Sequence, residues 1–139
     1  MRVLLNFRSG FAGLREGFEA LGHEVVENRW AADVAGIDLC VGDFVDCTRN
    51  LRRTLSHARA LRSARVPFIA LNRDARWHRG VHPFRLGLVS ALAPLDGYAT
   101  NSQQEGPRFS RRTLYCPNAA RESVYRVTLE DLVAMRDPA

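Results

Sequence analysis

The feature that most constrains the fold is the alternation of short apolar runs with amphipathic segments. Residues 2–7 form an apolar run of the length and character of a strand buried on both faces. A loop containing Gly10 and Gly13 follows, and then a segment with helical spacing that stops at Gly22. Residues 24–29 return as a second strand, so the opening of the chain predicts a βαβ unit with parallel strands.

The same alternation continues along the rest of the chain. Further predicted elements are strands at residues 38–45, 66–71, 97–100 and around Tyr115, and helices at residues 49–64, 84–92 and 122–135. No repeat or linker interrupts this order. We therefore expect one α/β domain over residues 1–139, Rossmann-like, with a parallel sheet of about six strands and helices on both faces.

Composition limits the class of partner. The formal net charge is +5, and all twenty basic residues are arginine, a side chain suited to phosphate and carboxylate. No recognised reading helix or aromatic platform accompanies this charge, so nucleic acid is not the expected partner. No apolar run approaches the roughly 18 residues of a membrane span, and no signal peptide is recognisable, so we expect a cytoplasmic protein.

The predicted helix at residues 49–64 has two distinct sides. The apolar side consists of Leu51, Leu55, Ala58 and Leu61. The basic side consists of Arg49, Arg52, Arg53 and Arg59. This division is typical of a surface helix that packs one face on a sheet. We expect the arginines to form a solvated face rather than a nucleic-acid contact.

Cysteine and histidine positions do not predict a metal site or a cofactor. The three cysteines form no CxxC pair, and Cys40 stands in an apolar run, as a core residue does. His78 and His82 are four apart, but Gly80 between them and Pro83 after them oppose the helix that would align them. No nucleophile elbow or HExxH pattern is present, so no catalytic residue is predicted.

Polar and glycine residues follow the predicted strands, at the edge beyond which open parallel sheets bind ligands. The first of these loops predicts either a phosphate cradle, in which Arg8 adds charge, or a tight turn that requires small residues. Its spacing matches neither a dinucleotide fingerprint nor a Walker motif. Asp43 and Asp46 fall near the end of the third strand. The predicted ligand-binding residues are Arg8, Ser9, Gly10, Gly13, Asn72, Arg73, Asp74, Trp77, Asn101, Ser102 and Asn118.

The two tryptophans are further candidates for ligand contact, because an indole can stack on a sugar or a base. Trp30 fits a core position equally well. Trp77 stands in an arginine-rich loop and is the better candidate.

Four segments resemble, in order, the N-terminal domain of GT-B-fold glycosyltransferases. The opening MRVLLNF, the glycine loop and a helix ending in ALGHEV resemble the start of that domain. VPFIALNRD is similar to its fourth-strand region, LDGYATNSQQE to a strand and helix start with an Asn-Ser pair, and YCPNAARESVY to its closing segment. The resemblance covers nearly the whole chain.

The resemblance implies an acceptor-side domain, with Gly10 and Gly13 near the diphosphate of a nucleotide-sugar donor. Many members of the family place a histidine just after the fourth strand, where this chain has Asn72, Arg73 and Asp74. The family's usual catalytic contact is therefore not expected here. The donor-binding domain with its paired glutamates is missing, so we expect no transfer unless a donor-binding subunit or a homodimer completes the site.

Three functions follow as hypotheses. The first is a glycosyltransferase-like acceptor-side domain that binds a glycan or a phosphorylated or nucleotide ligand. The second is a non-enzymatic Rossmann-like module that binds a nucleotide or phosphorylated metabolite, based on the same glycine loop and the arginines. The third is a basic protein associated with nucleic acid, based on the charge of +5.

Overall fold

The computed structural model describes residues 1–8, 12–72, 88–89, 91–92, 95–100 and 112–115. In this part of the chain, strands alternate with helices. The strands are β1 (Arg2–Asn6), β2 (Glu24–Glu27), β3 (Leu39–Asp43), β4 (Phe68–Asn72), β5 (Gly97–Thr100) and β6 (Thr113–Tyr115). The helices are α1 (Ala12–Ala20), α2 (Phe44–Arg49) and α3 (Leu51–Ser63), and residues 88–89 and 91–92 are also helical.

The strands form one six-stranded sheet in the order β2-β1-β3-β4-β5-β6, and every pairing is parallel. This confirms the prediction of a Rossmann-like α/β fold. The order reverses at β1, because β2 lies on one side of it and all later strands lie on the other. The sheet is therefore doubly wound, with its reversal between β1 and β3.

Alternate residues of the strands point to opposite faces of the sheet, and both faces are buried. We call the side that packs against Leu14 and Phe18 of α1 the α1 face; its buried residues are Val3, Leu5, Val41, Leu71 and Ala99. The opposite side, which packs against α2 and α3, is the α3 face; its buried strand residues include Leu4, Cys40, Phe68, Ala70 and Tyr98. Helices on both faces were predicted, and the structure confirms them.

The connection from β2 to β3 crosses the α3 face without a helix. Residues 28–38 contain no helix or strand, yet Ala31, Val34 and Ile37 are buried in the core with Leu4 and Cys40. Apolar side chains at irregular spacing thus cover the sheet where a helix would usually lie. This connection carries the turn at residues 29–30 to the carboxyl end of β1.

The predicted strand at residues 38–45 is too long, because its last two residues begin α2. Asp43 ends β3 and caps α2: its side chain accepts hydrogen bonds from the amides of Val45 and Asp46. The predicted helix at residues 49–64 is also divided, since α2 ends at Arg49 and α3 begins at Leu51. The side-chain cap made by Asp43 explains the first of these boundaries, because it starts α2 despite the strand preference of Val45.

The two predicted sides of α3 are confirmed. Ala58 and Leu61 are buried, Leu51 and Leu55 are half-buried, and the arginines on the other side are exposed. The predicted strands at residues 24–29 and 66–71 are shifted at their ends to Glu24–Glu27 and Phe68–Asn72. The predicted helix at 122–135 and most of the one at 84–92 lie outside the described residues.

Candidate functional site

The carboxyl ends of β1 and β3 lie side by side at the reversal of the sheet. Asn6 is in register with Gly42, and the next residue of β3, Asp43, ends that strand. Doubly wound sheets bind ligands in the crevice at such a reversal. We call this region, made by Asn6, Asp43 and the turn at residues 29–30, the β1–β3 edge.

Asn6 is a buried polar residue in an otherwise apolar strand. Its side chain is 1% exposed, and its Oδ1 accepts a hydrogen bond from the backbone amide of Trp30 at 2.9 Å. Trp30 has a φ of 59°, in the left-handed region that a bulky residue rarely adopts. Asn6 thus holds a strained turn against the end of β1.

Two buried donors at this edge have no hydrogen-bond partner among the residues that the structure describes. They are Nδ2 of Asn6 and Nε1 of Trp30. An unsatisfied buried donor costs about 1–3 kcal/mol, and both of these groups can only donate. The β1–β3 edge therefore favours an oxygen acceptor, from a water or from a ligand.

An ion pair supports the same turn. The Arg29 guanidinium donates to both carboxylate oxygens of Asp46, at 2.8 and 2.7 Å, and Asn50 Nδ2 donates to Asp46 Oδ1 at 2.9 Å. The Asp46 side chain is only 8% exposed. Arg29 also lies 5.8 Å from the centroid of the Trp30 ring. The two carboxylates at this edge, Asp43 and Asp46, thus have structural partners, one as a helix cap and one in a bidentate pair.

His57 connects the turn to the core of the α3 face. Its Nδ1 lies 3.2 Å from the carbonyl oxygen of Ala31, and its Nε2 lies 3.6 Å from Cys40 Sγ. Burial lowers the pKa of His57, and its hydrogen bond to Ala31 offsets only part of that effect. A neutral ring that donates from Nδ1 and accepts from the thiol fits both contacts.

The two described cysteines are core residues. Burial raises the pKa of Cys47 to about 12, and it also raises the pKa of Cys40, with a further contribution from the neighbouring thiol. Nucleophilic attack and metal binding require a thiolate, which neither environment favours. The prediction that Cys40 is a core residue is confirmed.

Asn72 was predicted to follow the fourth strand, but it is the last residue of β4 and is buried. It lies on the α3 face, where its Nδ2 donates to the hydroxyl of Tyr98 on β5 at 2.7 Å. Its amide therefore joins two strands within the core. A role for Asn72 in ligand binding remains a prediction.

The structure describes two other predicted ligand-binding residues. Arg8 is exposed just after β1, and Gly13 is the second residue of α1. Both follow β1, as predicted, but the prediction that Gly13 lies in the loop is wrong, because α1 begins at Ala12. The others lie outside the described residues: Ser9, Gly10, Arg73, Asp74, Trp77, Asn101, Ser102 and Asn118.

The sequence alone leaves the role of Trp30 open and does not single out Asn6 as a site residue. Trp30 is half-buried against the core of the α3 face and makes an edge contact with His57, with ring centroids 5.8 Å apart. It is thus a core residue, and its buried indole nitrogen has no hydrogen-bond partner among the residues described. The signal for Asn6 was its position, since a polar residue inside an apolar strand has a buried partner or function.

In comparisons with known proteins, no family model, curated protein or solved structure matches the chain. Among the described residues, no group of three or more histidine, cysteine or acidic side chains is placed to hold a metal ion. None of the helices in the described ranges has the length and apolar character to cross a membrane.

Proposed function

We propose that this chain is a ligand-binding α/β domain, similar to the acceptor-side domain of GT-B-fold glycosyltransferases, that binds a glycan or a phosphorylated or nucleotide ligand. The ligand lies at the β1–β3 edge. The chain does not transfer sugar unless a donor-binding subunit or a second copy completes the site. A cytoplasmic location fits the two buried free thiols, Cys40 and Cys47.

The observation that carries the proposal is the chemistry at the end of β1. Arg8 is exposed just beyond the strand, and the buried donors of Asn6 and Trp30 have no hydrogen-bond partner in the part of the chain that the structure describes. Asn6 ends β1, next to the point where the sheet order reverses. Phosphate and sugar oxygens are acceptors that suit a guanidinium and N–H donors. Both donors are buried, so a ligand that uses them must displace the groups that cover them.

A non-enzymatic nucleotide-binding module is the second candidate, and the strand order favours it. The order β2-β1-β3-β4-β5 is that of the flavodoxin-like doubly wound sheets, which bind a flavin nucleotide at the reversal without needing a second domain. Asp43 caps α2 and Asp46 pairs with Arg29, and these structural roles fit a module that binds without catalysis.

Thermal-shift measurements on the purified chain test these functions. The ligands are uridine and guanosine diphosphates, their sugar conjugates, free glycans and a short oligonucleotide, each at two salt concentrations. A ligand at a hundred times its Kd raises the free energy of unfolding by about 2.7 kcal/mol. We expect such a shift with a nucleotide, a nucleotide sugar or a glycan, and we expect Arg8→Gln to reduce it.

Arg59→Gln is the matched control, because Arg59 is exposed on α3 and the substitution removes the same charge. A shift that Arg8→Gln and Arg59→Gln leave equally intact places the ligand elsewhere and contradicts the proposed site. A glycan shift supports the acceptor-side function, and a nucleotide shift alone supports the second candidate. A shift with the oligonucleotide alone, lost at higher salt, contradicts both and supports a nucleic-acid function.

A further inference from the structure

A cavity of about 520 Å³ lies at the junction of α2 and α3, and none of its described lining residues belongs to the β1–β3 edge. Arg49, Arg52 and Arg53 line it together with two leucines, Leu51 and Leu88. Leu51 packs in the cluster of the α3 face that contains Ala70 of β4 and Tyr98 of β5. The cavity therefore lies over the β4–β5 half of the sheet.

Two of the arginines that line the cavity, Arg52 and Arg53, carry charge that no acidic side chain of the described residues neutralises. Arg52 and Arg53 are exposed, and neither forms an ion pair with any of the residues described. They occupy the second and third positions of α3, whose first turn has no acidic residue. Cations are unfavourable there, because the start of a helix is already the positive end of its dipole.

The residue before α3 does not relieve this charge. Asn50 makes no side-chain cap of α3, since its Nδ2 donates instead to the carbonyl and carboxylate of Asp46. Two arginines thus stand where helix stability favours acidic residues. Positions at which a sequence breaks such a local rule are often positions under selection for function.

The size and lining of the cavity indicate the chemistry of its occupant. Ligand sites for small molecules commonly measure about 300–1,000 Å³, and they combine apolar walls with a few charged groups. Leu51 and Leu88 provide apolar wall, and the guanidinium groups of Arg52 and Arg53 provide forks that match phosphate oxygens. We propose that this cavity is a second ligand site, which binds the phosphates of a small phosphorylated molecule with an apolar or planar body.

Isothermal titration calorimetry with uridine diphosphate and with inorganic pyrophosphate tests the proposal. The proteins are the wild-type chain, the double variant Arg52→Gln/Arg53→Gln, and Arg59→Gln, which removes an exposed charge from α3 outside the cavity. We expect the double variant to raise the Kd of both probes about tenfold or more, because it removes two charge-assisted contacts. Arg59→Gln should change the Kd less than about twofold.

Thermal melting controls for folding, and the double variant should melt at or above the wild-type temperature because it removes cations from the start of α3.

Two-dimensional NMR of the wild-type chain locates the probes independently of any variant, and we expect the amides of residues 48–53 to shift. Shifts confined to the residues around β1 overturn this site while supporting the β1–β3 edge.

Absence of binding of either probe, or an unchanged Kd in the double variant, also overturns the proposal. Binding of an oligonucleotide but of neither small probe does so as well, and it assigns the arginines to nucleic acid instead.

Discussion

At the scale of single residues, Gly42 shows how closely a side chain of β4 packs against the backbone of β3. It lies in the middle of the sheet, between β1 and β4. A Cβ at this position would lie 2.8 Å from Cε2 and 3.2 Å from Cζ of Phe68, and that ring is buried. The sequence placed Gly42 correctly in a strand, but the reason for glycine lies in a neighbour 26 positions away.

Gly42→Ala should lower the free energy of unfolding by about 1–3 kcal/mol, because the new Cβ would overlap the buried ring of Phe68 and force that ring or the strand to shift. Chemical denaturation measures the change. The same substitution at Gly17, on the exposed side of α1 with nothing within 4 Å of its Cβ, is the control and should stabilise the chain by about 0.4–1 kcal/mol. Equal effects at both positions would contradict the steric explanation.

Other single residues show which kinds of prediction succeed. Cys40 was predicted as a core residue from its apolar neighbours, and it is fully buried. Asn6 stands among similar neighbours, yet its role depends on the amide of Trp30, 24 positions away. Burial follows from local hydrophobicity, whereas a polar partner depends on the path of the chain.

At the scale of elements, the ends of helices depend on local capping hydrogen bonds, and only some of these can be predicted from the sequence. Gly22 was predicted as the stop of α1, and this is confirmed: its φ is 77°, and its amide donates to the Glu19 carbonyl at 2.9 Å. The amide of His23 donates to Phe18 at 3.0 Å, which completes a Schellman motif. Leu21, the residue before this stop, lies in the exposed turn after α1.

The start of α2 was not predicted, because Phe44 and Val45 continue the apolar pattern of β3. Only the two hydrogen bonds to Asp43 reveal that the strand has ended. An aspartate is a strong cap, but it is also common after any strand, so its presence alone does not predict a helix.

Asp43→Ala should lower the free energy of unfolding by about 1 kcal/mol, because it removes the side-chain acceptor for the first amides of α2. Asp43→Asn keeps that acceptor and should lower the free energy by less than half as much. Urea denaturation of both variants provides the measurement. If the two variants lose the same stability, the charge of Asp43 rather than its cap is what stabilises the native state.

At the scale of the whole molecule, the alternation of elements determined the parallel sheet, but it did not determine the strand order. A βαβ unit requires parallel strands and a right-handed crossover, and both faces of such a sheet must be covered. The reversal between β1 and β3 depends on residues 28–38 crossing β1 on the α3 face. Their irregular apolar spacing gave no helical signal, so the position of the candidate site within the carboxyl edge was not predictable.

Hydrogen exchange tests this arrangement across the entire sheet. β3 is paired on both sides, by β1 and β4, whereas β2 is paired with β1 at the end of the strand order. The amides of Cys40 and Val41 should therefore exchange slowest. Those of Val25 and Val26 should exchange at least about tenfold faster, which corresponds to an opening free energy about 1.4 kcal/mol lower. Equal protection of β2 and β3 would be inconsistent with the observed order.

The all-parallel pairing also has a consequence for how the chain folds. The first paired residues of β1 and β2, Arg2 and Glu24, are 22 positions apart, and those of β1 and β3, Val3 and Leu39, are 36 apart. None of the five described strand pairs can form as a local hairpin, so loop-closure entropy opposes each pairing before the sheet stabilises it. The local helices α1 and α3 are therefore the segments able to form earliest, and assembly of the central strands limits the rate of folding.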